Sequence, residues 1–122
     1  MNLSNNTIKI LPLLLFFLSC NNSENSKLIV GNWYGSNWLI DGKPSDLKVQ
    51  STYFTFNDKG DYTYEYAGNK EAGKYKVEND MLFTTPANQQ EIMVKITKLT
   101  KDSLIFEMNR GGRPESLTLL KK

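Results

Sequence analysis

The sequence predicts a single all-β domain, an eight-stranded antiparallel up-and-down β-barrel preceded by a signal peptide and a short disordered tether. Three observations predict it. From Leu28 onward the chain is a succession of short runs in which apolar side chains occupy alternate positions, the period of a strand with one buried face. These runs are separated at close spacing by Asn, Asp and Gly clusters of the kind that make hairpins. No segment carries a sustained helix period. With 122 residues, 39% of them hydrophobic and 23% charged, the chain has the composition of one globular domain and no room for a second.

The first 19 residues carry one charge, Lys9, followed by the apolar run 10–18 and the small residue Ser19. That is the pattern of a secretory signal peptide, too short to span a bilayer. It ends at Phe17-Leu18-Ser19-Cys20, which resembles the lipobox of bacterial lipoproteins. The resemblance implies cleavage before Cys20 and acylation of that residue, the only cysteine and hence without an intrachain disulfide partner. Two or more acyl chains make attachment to a membrane stable where one would be marginal. Residues 20–27 are polar and aperiodic and read as a flexible leash, leaving 28–122 as the folded domain. In the enteric sorting rule an aspartate after the cysteine favours the inner membrane. Asn21 stands there instead, so the expected location is the outer membrane of the cell envelope.

Strands are expected over residues 29–40, 49–56, 61–66, 73–77, 81–85, 91–99, 104–109 and 115–120. The first contains Gly31-Asn32-Trp33-Tyr34-Gly35-Ser36-Asn37-Trp38, and two glycines within a strand mark a bend or a close approach. Trp33 and Trp38 are an odd number of residues apart. Without a bulge they face opposite ways, Trp33 into the closed end of the barrel and Trp38 outward. The third strand sets Tyr62, Tyr64 and Tyr66 on one face, and Phe54 with Phe56, Tyr75 with Val77, Ile92 with Val94 and Ile96, Leu104 with Phe106 and Met108, and Leu117 with Leu119 form comparable stripes. A barrel buries all of them and leaves no open edge. Connections 57–60, 78–80 and 100–103 are tight. Those alternating with them, 41–48, 67–72, 86–90 and 110–114, are mostly longer, so one end is expected to be closed and the other to form a mouth.

An ordered series of short motifs follows the same strands: Gly31-x-Trp33, Phe56-Asn57-Asp58-Lys59-Gly60-Asp61-Tyr62, Gly73-Lys74-Tyr75, Asn79-Asp80-Met81-Leu82, and Leu99-Thr100-Lys101-Asp102-Ser103-Leu104. Together they resemble the lipocalin-like domains of bacterial envelope lipoproteins, within the calycin group of small barrels. The resemblance implies an eight-stranded barrel with Gly31 and Trp33 as its structural signature and no catalytic residues. It also implies a cation after the last strand packed over the signature tryptophan, a place only Lys121 or Lys122 can take.

Histidine is absent, which removes serine–histidine and cysteine–histidine catalysis and the commonest metal ligand. No metal cluster, phosphate loop or cofactor motif is found, and no pair among Glu65, Glu91, Glu107 and Glu115 has a spacing that compels a shared site. The net charge is +2, or +1 once residues 1–19 and Lys9 with them are removed, and it is scattered, so no nucleic-acid partner is expected. An eight-stranded barrel either packs solid or holds one small ligand. If it binds a small apolar or amphipathic molecule, the candidates are Phe54, Tyr64 and Tyr66 in the wall and Arg110 and Arg113 at the mouth. Arg110-Gly111-Gly112-Arg113 reads equally as an anion-holding loop or as a solvated turn. If the interior is full, the domain contacts an envelope protein through an exposed face that includes Tyr34, Trp38 and Ile40. Neither reading is an enzyme.

Overall fold

The structure is a computed structural model that describes residues 24–122. The expected signal peptide, the proposed acylation site Cys20 and the start of the expected tether lie outside the described residues. From Gly31 on, ten elements follow one another: β1 (Gly31–Ile40), β2 (Lys43–Pro44), a 3-10 turn (Val49–Ser51), β3 (Thr52–Phe56), β4 (Asp61–Tyr66), β5 (Asn69–Glu78), β6 (Met81–Pro86), β7 (Ile92–Leu99), β8 (Ser103–Arg110) and β9 (Arg113–Lys121). From β3 to β9 each strand pairs antiparallel with the next, and β9 returns to β1 from Trp33↔Lys121 to Ile40↔Glu115. That pairing closes an eight-stranded barrel. β2 stays outside it, paired to the last two residues of β1.

The lower part of β1 is flanked by β3, from Gly31↔Phe56 to Tyr34↔Tyr53. Between that stretch and β2, β1 is covered by the strap that precedes β3. Val49 in the 3-10 turn lies so close over Gly35 that a Cβ there would sit 2.2 Å from the Val49 carbonyl oxygen. The close approach expected of a strand glycine is thus real at Gly35. Gly31 opens the strand at φ +143°, where a side chain would be strained.

One irregularity in β1 overturns the expected placement of Trp38. Gly35 pairs with Leu119 and Asn37 with Thr118, so Ser36 is an extra residue, a β-bulge. A single extra residue inverts the facing of everything after it. Trp33, Gly35 and then Trp38 point inward, and Trp38 is 4% exposed within the core cluster. The interaction face built on Tyr34, Trp38 and Ile40 therefore does not exist, since Ile40 also packs against the core.

Strand lengths and connections also differ from expectation. β5 begins at Asn69, because Ala67 and Gly68, both at positive φ, make a two-residue hairpin between Tyr66 and Asn69. Gly111 and Gly112 do the same between Arg110 and Arg113, and Asp41 and Gly42 between Ile40 and Lys43. Two of the four mouth connections are thus tight hairpins, while 41–51 and 87–91 stay longer than the turns at the other end. What further distinguishes the two ends is a plug at one and a split wall at the other.

The plug comes from the segment before β1, where residues 24–28 form a helical turn and not a leash. Ile29 is wholly buried beneath it. The Trp33 indole donates to the Ile29 carbonyl at 2.8 Å, and Asn25 donates to the carbonyl of Asn79 in the β5–β6 turn at 2.8 Å. Lys121 places its ammonium 5.2 Å from the Trp33 ring centroid and donates to the Leu28 carbonyl. Lys121 therefore fills the place of the expected cation.

At the other end β7 and β8 part company. They pair from Leu99↔Leu104 up to Lys95↔Glu107 and no further, although β7 continues up to Ile92 and β8 to Arg110. The expected inward stripe of β7 holds at Ile96 and Val94, but Ile92 at its end is 50% exposed beside this split.

Candidate functional site

Inside the open end lies a cavity of about 340 Å³. Its floor is set by the packed lower layer, in which Phe56, Leu82, Leu104 and Leu119 are almost fully buried. Its walls are aromatic. Phe54 stacks on Tyr64 at 4.6 Å and meets Phe106 edge-on at 5.7 Å, and all three line the space with Trp38 and Tyr62. Alternation along β3 and β4, with Phe54 paired to Tyr64 and Phe56 to Tyr62, brings these rings to one surface. On the side where the wall splits, Ile92, Met93 and Val94 of β7 and Met108, Asn109 and Arg110 of β8 also line the cavity. Met93 is 59% exposed. The chain therefore keeps apolar side chains in water at this edge, where a site for apolar molecules would have its entrance.

Three charged groups belong to this region. Glu115 on β9 is buried; it accepts the Trp38 indole N–H at 2.9 Å and pairs through its other oxygen with Arg110 Nε at 3.1 Å. The Arg110 guanidinium lies 5.9 Å from the Trp38 ring centroid, which joins the three into one unit. Glu71 on β5 lines the cavity and accepts the Tyr62 hydroxyl at 2.7 Å. Burial first, and then the Glu71 carboxylate, push the Tyr62 phenol well above its ordinary pKa; burial likewise raises that of Tyr64. Both hydroxyls stay neutral near physiological pH. Among the described residues no three Asp, Glu or Cys side chains gather so as to hold a metal ion.

Of the residues singled out in the sequence, Phe54, Tyr64 and Arg110 meet around the cavity. Tyr66 does not line it: its ring packs edge-on against Trp38 at 5.9 Å, and its hydroxyl accepts the backbone N–H of Lys48. Arg113 is also outside, paired at 3.0 Å with Asp41 in the turn after β1. Both guanidiniums of the glycine turn pair with carboxylates, and the turn itself is a two-residue hairpin. Sequence reasoning missed Trp38, whose inward facing depends on the bulge, and Glu71, whose strand was expected to start two residues later. Alternation backward from Tyr75 through Gly73 points to Glu71 once the hairpin at Ala67 and Gly68 is recognised.

Residues 29–106, well over half the chain, match the family model described as a lipocalin-like domain. The chain belongs to that family. Two solved structures share its lipocalin-like barrel. One is an uncharacterized protein from Bacteroides eggerthii DSM 20697, 20% identical, with a TM-score of 0.62, covering 77% of this chain and 99% of its own. The other is a lipocalin-like protein from Bacteroides uniformis ATCC 8492, 16% identical, with a TM-score of 0.61, covering 78% of this chain and 99% of its own. At such identities the likeness shows the fold alone. A search of curated proteins returns no match. Within this lipocalin-like domain the signature tryptophan, Trp33, is part of the closed end, while the second tryptophan, Trp38, is part of the cavity wall.

Proposed function

We propose that this lipocalin-like domain is a non-enzymatic binding module that holds one small apolar or amphipathic molecule in its open end, while acyl chains on Cys20 hold it at the outer membrane. The cavity carries the reading. Its volume of about 340 Å³ lies at the small end of the roughly 300–1,000 Å³ usual for ligand sites, and its lining of rings and thioethers with a few polar groups has the usual composition of such sites. A solid interior would instead have favoured a pure interaction module.

Native mass spectrometry of the protein, extracted in detergent from its own envelope, tests the binding. A copurified small molecule is expected. Thr84→Trp, which sets an indole into the lining of the cavity, should remove it. Persistence of the same adduct in that variant would place the molecule elsewhere. For the tether, Cys20→Ser should move the protein from the membrane pellet to the soluble fraction or block its processing, and unchanged lipid labelling and fractionation would refute the anchor.

A further inference from the structure

The charges around the cavity are unequal. Two carboxylates, Glu71 and Glu115, stand against one guanidinium, Arg110. Arg110 is committed to Glu115, which is itself buried and bonded to the Trp38 indole. No ion pair among the described residues involves Glu71. Its hydrogen-bond partner is the Tyr62 hydroxyl, a neutral donor to one oxygen. Yet Glu71 lines a largely apolar space and is half-buried, a setting in which a carboxylate gains from a cation.

The surrounding rings point the same way. Trp38, Phe54, Tyr62, Tyr64 and Phe106 all line the cavity, and aromatic faces attract ammonium groups as well as apolar chains. A carboxylate head group would instead meet Glu71 directly and find the Arg110 charge already neutralised by Glu115.

Building on the binding function proposed above, we infer that the preferred occupant is an amphipathic amine, its ammonium group paired with Glu71 and its apolar part lying among the rings. The split between β7 and β8, edged by Ile92 and Met93, gives the apolar part its way in.

The test compares three probes with the same chain, octylamine, octanol and octanoate. Each is titrated against the full-length protein in phosphatidylcholine nanodiscs while tryptophan emission is followed, with empty nanodiscs as background. Octylamine should bind most tightly. Glu71→Gln keeps an acceptor for Tyr62 but no charge; it should weaken octylamine by roughly ten- to hundredfold, as for loss of a charge-assisted hydrogen bond, and leave octanol nearly unchanged. Circular dichroism would show the variant folded. Equal or tighter binding of octanol or octanoate overturns the amine assignment and leaves the binding function standing, as does an octylamine preference that survives Glu71→Gln. If none of the three binds, the binding function falls with it.

Discussion

Trp38→Ala is expected to destabilise the protein by about 3–5 kcal/mol, the range for truncating a large buried aromatic, and by as much as Trp33→Ala. Both indoles are almost wholly buried, but they hold different parts of the molecule. Trp33 fixes the plug, because its N–H satisfies the Ile29 carbonyl beneath the helical turn and its ring faces Lys121. Trp38 fixes the open end. Its loss removes the ring against which Tyr66 packs and leaves the buried Glu115 with Arg110 as its remaining partner. The milder Trp38→Phe keeps much of the packing but removes the indole N–H, and should cost about 1–3 kcal/mol, as for a buried polar group deprived of its bond. Urea melts with an unchanged m-value would read these losses as shifts in midpoint. A loss of less than about 1 kcal/mol for Trp38→Ala would mean that Trp38 faces outward and that the bulge at Ser36 is absent.

Gly35→Ala should cost about 1–3 kcal/mol, the usual range for overpacking. The new methyl would lie 2.2 Å from the Val49 carbonyl oxygen and 2.9 Å from Val49 Cγ2. A side-chain contact could give way, but a backbone carbonyl moves only with its strap. The double variant Gly35→Ala with Val49→Ala should therefore recover nothing, because it relieves the Cγ2 contact and leaves the carbonyl in place. For a domain of this size each kcal/mol corresponds to roughly 4–8 °C in Tm, so calorimetry should resolve the change. A wild-type Tm for Gly35→Ala would show that the strap does not seat on β1.

The same two positions show how far local pattern reaches. A glycine within a strand announces a close approach, and Gly35 has one. What approaches it, the strap carrying Val49, comes from a segment that reads locally as part of the next strand. The Gly35-Ser36-Asn37 tract likewise announces irregularity, but one inserted residue and a regular strand have nearly the same composition. Only the cross-strand partners Leu119 and Thr118 reveal that Ser36 is extra, and with it the side on which Trp38 lies.

By itself the sequence determined that the chain is all-β, that its stripes share one interior and that the strands run as a meander. These follow from period-two alternation and turn chemistry, which act between neighbours in the chain; the lysine over Trp33 came from the family resemblance. The tertiary structure alone decided the rest of the site. Whether β7 and β8 stay paired to their ends depends on how the two strands meet in the closed sheet, which neither strand encodes alone. Whether Arg110 is free depends on Glu115, which a β-hairpin brings beside it. Glu71 becomes part of a site only when β5, β4 and the rings of β3 enclose the same space. Facing within a strand is a local property; which groups share a cavity, and which charges there remain unmatched, is settled by closure of the sheet.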